Sequence, residues 1–313
     1  MTFTNQSHAN VTAGLQYQSF QEILILNIAS TVPCCVFLFI NGTMLYTLRS
    51  KAVFCDTSRY ILLYNLLLGD TLLLMQSQLL YLLSTLRVTM TYAACAAALM
   101  ATRLVTSISP LTLVVMSLER YVAVCHPLKH ATIITIRNTA LAIVGVWALS
   151  SLNILTQVLL LLKFGFVDVA FLYTKDFCGR ENIFLNPESN LYATGYMSFV
   201  FVLTTVAIVF SYIGVTIAAR SASSTDKASA RKARRTLLLH LVQLGLGLLS
   251  TIHNPILYSI STSLGRVMIV RMQVLLYLCV IILPRCLSAL IYGLRDQTIR
   301  HVLVQHLRCH CRP

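Results

Sequence analysis

Seven runs of about twenty or more apolar residues, the length of a membrane-crossing helix, divide this 313-residue chain, at 23–48, 60–84, 96–125, 138–162, 192–219, 236–260 and 270–292. A helix of that length spans the roughly 30 Å hydrocarbon core of a bilayer. Lipid offers the backbone no hydrogen bonds, so each run must satisfy its own amides and carbonyls as a helix. A β-barrel is excluded, because barrel strands alternate apolar and polar residues over about ten positions and these runs are continuous. The expected fold is all-α, a seven-transmembrane helix bundle over 23–292. An outer tail, 1–22, precedes it, and an inner tail, 293–313, follows. The gaps between runs are too short to hold another domain.

Charge agrees with this and adds a direction. Only 11% of the residues are charged and 57% are hydrophobic, whereas soluble domains carry roughly 25% charged residues. Twenty-four Lys and Arg face ten Asp and Glu, a formal +14 that in a soluble chain would suggest nucleic acid. Their placement gives another reading. With the C-terminus inside, sixteen basic residues fall on the inner side, six on the outer side, and Arg103 and Arg285 lie within spans. Basic residues concentrate on the cytoplasmic side, so the N-terminus is expected outside. The sequons at Asn5 and Asn10 lie in that outer tail, while the Asn41-Gly-Thr43 match is inside a span. Residues 1–21 lack the charged and apolar regions of a cleaved signal peptide, so the first span is expected to direct insertion. The ten cysteines show no paired CxxC spacing, which argues against a zinc module.

At the inner end of the third run stands Met116-Ser-Leu-Glu-Arg-Tyr-Val-Ala-Val-Cys-His-Pro-Leu-Lys-His130. This string resembles the Glu/Asp-Arg-Tyr region of rhodopsin-like G-protein-coupled receptors, and its Cys-His-Pro-Leu portion is similar to the odorant-receptor branch. The resemblance extends along nearly the whole chain. It rests on Asn41, Asp70 in Leu66-Leu-Leu-Gly-Asp70, Cys95, Trp147, Ser211-Tyr212, Lys232-Ala-Arg-Arg-Thr-Leu-Leu-Leu-His240 and Leu283-Pro-Arg-Cys-Leu-Ser-Ala-Leu-Ile-Tyr292. The nearest likeness is to fish odorant receptors. One departure stands out: Ser288-Ala289 replaces the usual Asn-Pro before Tyr292, and Pro284 lies one turn earlier.

The resemblance implies a small-molecule odorant bound between the spans, the alternative being a non-olfactory rhodopsin-like receptor for a peptide, lipid or amine, and a heterotrimeric G protein of the olfactory or stimulatory type engaged at the inner face. It implies the plasma membrane and its lipid as surroundings, with no nucleic-acid partner and no catalysis. It pairs Cys95 with Cys178 in a disulfide across the outer surface; two free thiols are the alternative. Glu119 and Arg120, with Tyr121, become the activation switch, Arg120 being held by its neighbouring acid at rest and released towards Tyr212 and Tyr292. A snorkelling Arg120 is the plainer alternative. Asp70, with Asn41, Ser109 and Ser288, implies either a sodium site or a water-filled polar cluster, because a lone carboxylate in mid-membrane is expensive. No other cofactor is implied.

Arg103 is the other ionisable group within the third run. Helical spacing sets Thr102 with Thr106 and Arg103 with Ser107, and all four are expected to border one inward patch. A guanidinium there selects a carboxylate by bidentate bonding, or it pairs internally with Asp168, Asp176 or Glu181. Asn254 and Tyr258 are further ligand candidates. Ile299, Val302, Leu303 and Leu307 recur at helical spacing, which predicts an amphipathic helix on the inner membrane surface. Cys309 and Cys311 beyond it are candidates for palmitoylation. Transporter-type internal repeats and the His-Glu-x-x-His and Gly-x-Ser-x-Gly hydrolase motifs do not occur.

Overall fold

The computed structural model describes residues 20–86, 88–165, 178, 187–221 and, beyond these, helical positions at 231, 235, 238, 242, 275, 279, 282–283 and 299–303. The continuous helices are α1 (Phe20–Ser50), α2 (Ala52–Cys55), α3 (Ser58–Thr85), α4 (Tyr92–Cys125), α5 (Pro127–Ile133), α6 (Ile136–Gly165) and α7 (Pro187–Ser221). Among the described residues, five of these, α1, α3, α4, α6 and α7, are long and apolar enough to cross a membrane. They correspond to the first five apolar runs. Inner and outer below follow the sidedness expected from the charges.

Local chemistry sets the helix ends a few residues beyond the apolar runs. Thr91 holds extended backbone and its hydroxyl accepts from the Ala94 amide at 3.3 Å, which starts α4 at Tyr92 rather than at 96. Pro187 opens α7 with Glu188 in the first turn, five residues before the apolar run at 192. A proline is tolerated at a helix start and an acid suits the positive end of the helix dipole. Pro127 likewise begins α5, a short inner helix with no buried residue.

Most outward side chains of the spans are apolar, while the interior mixes apolar clusters with buried polar groups. Ile25, Ile28, Val32, Val36 and Phe39 form an exposed stripe along α1, and Leu141, Val144, Leu152, Leu155 and Leu159 form another along α6. In water such stripes would drive aggregation; in lipid they are the solvent-facing side. Asn65, Asp70, Ser107, Thr112, Glu119, Ser150, Asn153 and Gln157 are buried between the helices. Many span hydroxyls close on their own helix: Thr43, Thr71, Thr106, Thr204 and Thr216 each donate to the carbonyl four residues back, at 2.6–2.8 Å. That satisfies a donor which lipid would leave bare.

The third span is the hub, since α4 packs against α3, α6 and α7, while α1 packs against α3. The inner floor is an apolar cluster of Met44 and Leu48 from α1, Phe54 from α2, Leu63 and Leu67 from α3, Met116 from α4 and Ile208 from α7. Ile299, expected to face lipid from a surface helix, is instead fully buried in this floor, with Val302 and Leu303 packed beside it. Higher up, Ile282 of the last apolar run packs on Cys34 and Leu74. Other positions of the sixth and seventh runs lie outside the described residues.

Candidate functional site

Three polar layers stack along α4. At the inner end, Arg120 Nε lies 3.3 Å from Glu119 Oε2, and both side chains are largely buried. An arginine and a carboxylate next to each other in sequence pair here because neither charge is stable alone at the membrane boundary. His130 of α5 approaches the other carboxylate oxygen, its Nε2 3.9 Å from Glu119 Oε1. That neighbour was not among the sequence candidates. The only sequence signal for it is the spacing of the inner loop, in which Pro127 starts a short helix that folds back under α4. Tyr121 turns its ring towards α7, 5.1 Å from Phe210 between centroids. Tyr212 lies on α7, its ring half-buried. Tyr292 is outside the described residues.

In the middle layer Asp70 is only 2% exposed and its Oδ1 accepts from Ser109 Oγ at 2.7 Å. Asn41, on α1, is fully buried, and its amide oxygen and nitrogen have no hydrogen-bond partner among the described residues. A carboxylate and a hydroxyl are oxygen donors of the kind a hard cation takes, and an orphaned amide is the kind of group a buried water satisfies. The donor set therefore fits either occupant. Ser288, the other expected member, lies outside the described residues.

Close to this layer runs a tie that the sequence did not disclose. Trp147 Nε1 donates to Asn65 Oδ1 at 2.9 Å, and Asn65 Nδ2 donates to Thr112 Oγ1 at 2.9 Å. One amide thus joins α6, α3 and α4. The available signal was a lone Asn within the apolar run Ile61-Leu-Leu-Tyr-Asn-Leu-Leu-Leu68, which needs a partner once buried.

The outer layer revises the expected ligand patch. Thr102 and Thr106 spend their hydroxyls on Ala98 and Thr102 carbonyls, at 2.9 and 2.7 Å. Arg103 and Ser107 instead point at α6: Arg103 Nη1 donates to Gln157 Oε1, and Ser107 Oγ donates to Ser150 Oγ at 2.8 Å. Gln157 Nε2 continues to Asn153 Oδ1 at 3.1 Å. Tyr196 of α7 packs beside Ile108 of α4 and Val146 of α6. The four candidates therefore do not act as one patch; two are turned onto their own helix and two enter a seam between α4, α6 and α7. Gln157 was not among the expected partners of Arg103. The expected acids Asp168, Asp176 and Glu181, like the ligand candidates Asn254 and Tyr258 and the sequons at Asn5 and Asn10, lie outside the described residues.

Above the seam, Cys95 at the outer start of α4 is bonded to Cys178, with 5.5 Å between their Cα atoms. Both are buried beside Met100 and Ala96, against Tyr92, Ile154 and Leu161. The bridge fixes one point of the outer connection directly over α4.

Comparison with known proteins gives the arrangement its context. The family model described as 7 transmembrane receptor (rhodopsin family) matches residues 40–292. Odorant receptor 131-2 of Danio rerio is 30% identical over 274 residues, covering 88% of this chain and 83% of that protein. Putative olfactory receptor 7A2 of Homo sapiens is 27% identical over 95% of this chain and 99% of its own length. The match takes in the inner Glu119–Arg120 pair, the mid-membrane Asp70 and the disulfide-bonded Cys95 in one alignment. This chain belongs to the rhodopsin family of seven-transmembrane receptors, among its odorant receptors.

Proposed function

We propose that the chain is a seven-span receptor of the plasma membrane with its N-terminus outside, which binds a small odorant within the bundle and activates a heterotrimeric G protein of the stimulatory olfactory type. The observation that carries this reading is the closed Glu119–Arg120 pair at the inner end of α4. A buried ion pair at the membrane boundary, beside a loop helix that reaches the cytoplasm, is a two-state element: closed, it holds Arg120 back, and open, it offers Arg120 to a partner. Five apolar helices and the runs at 236–260 and 270–292 together support seven spans. Sixteen inner against six outer basic residues support the sidedness, with an outer tail of 1–22 bearing glycans at Asn5 and Asn10. The inner tail, 293–313, includes the helical positions 299–303 and the palmitoylation candidates Cys309 and Cys311.

The outer seam is where ligand chemistry enters. Arg103, always protonated and oriented by Gln157, suits an odorant bearing a carboxylate or another anionic group. Thr102, Thr106, Asn254 and Tyr258 are proposed as the further ligand contacts. The odorant acts by binding the open bundle more tightly than the closed one, since a ligand shifts an equilibrium only by its differential affinity. The Asp70–Ser109 layer lies between the two ends of this coupling; it holds a sodium ion, or ordered water, against the Asp70 carboxylate and Ser109 hydroxyl, which steadies the closed state. The test is expression with a stimulatory olfactory α-subunit and measurement of cAMP against a panel of water-soluble acids, amines and alcohols. A dose-dependent rise to an acid supports the reading. Silence across the panel at good surface expression counts against it.

A further inference from the structure

Tyr121 directly follows Glu119–Arg120 on α4, and its ring rests on a glycine of α7. A β-carbon placed on Gly214 would lie 2.4 Å from Tyr121 Cε2 and 2.8 Å from Cδ2, far inside van der Waals contact, and 3.7 Å from Cys125 Sγ. At Gly42, Gly145 and Gly195 the same atom would meet nothing within 4 Å, and at Gly69 its nearest neighbour is Ile108 Cγ2 at 3.3 Å. Among these glycines, only Gly214 yields its whole side-chain volume to a ring.

The seat has walls as well as a floor. Phe210, one turn before Gly214, stands 5.1 Å from the Tyr121 ring with the planes at 41°, and His126 meets the other side edge-on at 5.7 Å. Tyr121 and Cys125 lie four residues apart, so both project from one face of α4 over the same gap in α7. Helices in membranes approach closely where a small residue opens such a gap. A methyl group on Gly214 leaves two responses: the ring lifts out of the seat, or the inner end of α4 parts from α7. Either one disturbs the turn that carries Arg120, whose Nε is 3.3 Å from Glu119.

We infer that Gly214 is a positioning residue for the inner switch: its missing side chain seats the Tyr121 ring, and the seated ring holds α4 and α7 in the register that keeps Arg120 beside Glu119. Filling the seat shifts the receptor towards its open form without touching ligand, ion pair or G protein. The inference rests on reading Glu119–Arg120 as the switch.

The experiment measures ligand-independent recruitment of a panel of miniature G-protein α-subunits to the full-length receptor in cells, normalised to surface receptor. Gly214→Ala is expected to raise recruitment about five- to tenfold, a population shift between two states caused by displacing the ring from its seat in the closed one. Tyr121→Ala, which empties the same seat, is expected to raise it too. The double variant is expected to match Tyr121→Ala within about twofold, because a methyl that acts only through the ring has nothing left to push. Should Gly214→Ala alone fail to reach the surface, adding Tyr121→Ala must restore its level, and failure of that rescue overturns the inference. Gly214→Ala indistinguishable from wild type, or effects that simply add, overturn it as well. Glu119→Gln run alongside separates the two ideas. If that variant is silent with every α-subunit, the switch reading itself falls; if it is active while Gly214→Ala is silent, only the seat falls.

Discussion

Arg103 draws its meaning from one neighbour. Among the described residues that neighbour is Gln157 of α6, whose amide oxygen accepts from Nη1 and sets the direction of the guanidinium. Arg103→Ala is therefore expected to abolish the response to an acidic agonist with surface expression intact, and an unchanged dose response would remove Arg103 from ligand recognition. Gln157→Leu keeps the charge but releases its aim; about a tenfold rise in the half-maximal concentration of the acid is expected, the loss of one charge-assisted bond. Asn65 predicts a different outcome. Asn65→Leu strands Trp147 Nε1 and frees Thr112, and a span-to-span polar contact of this sort is worth about 1–2 kcal/mol. A lower thermal midpoint of the detergent-solubilised receptor, with ligand selectivity retained, is the expected measurement. These residues differ in how plainly the sequence exposed them. Asp70, Arg103, Glu119 and Arg120 stood out because an ionisable group inside an apolar run has no cheap explanation. Asn65, Ser150 and Gln157 did not, because an amide or hydroxyl is tolerated in a span and its partner lies far off; 82 residues separate Asn65 from Trp147 and 43 separate Ser107 from Ser150.

At the scale of elements, the spans followed from their apolar length, and their ends did not. Hydropathy is blind to Thr91 as a cap or to Pro187 as a start, since both act through backbone geometry. It is equally blind to α5, seven residues without a buried side chain. That helix offers a clean test, because Leu128 is 95% exposed on it. Nothing in the fold depends on that side chain, so Leu128→Ala is expected to leave surface level unchanged and to lower the maximal G-protein response several-fold if α5 docks the partner. The outer connection behaves in the opposite way. Cys178→Ser removes the one described link between that connection and α4. A disulfide closing a long loop is typically worth about 2–4 kcal/mol, so the expected result is a large drop in surface receptor, seen by flow cytometry on intact cells.

For the molecule as a whole, the basic excess that first suggested a polyanion became a statement of sidedness. An epitope at the N-terminus should then be accessible on unpermeabilised cells, and glycosidase treatment should increase its electrophoretic mobility unless Asn5 and Asn10 are both replaced by Gln. The inverted distribution of polarity, apolar stripes outside and amides, hydroxyls and carboxylates within, could be anticipated from composition. Which polar group meets which could not, because that depends on how far each helix is rotated, and a run of twenty apolar residues fixes a length without fixing a rotation. The rotation of α4 is what divided the expected ligand patch, sending Arg103 and Ser107 towards α6.

The burial of Ile299 in the floor beneath α1, α2 and α3 has a consequence for how the receptor is made. Chains enter the membrane in the order they are synthesised, so Met44, Phe54 and Leu63 are in place long before Ile299 leaves the ribosome. Through that interval the apolar cluster of the nascent bundle is without the side chain that completes it. A product that stops before residue 299 would leave the cluster incomplete permanently, with every span inserted and still one surface for chaperones and degradation machinery to recognise.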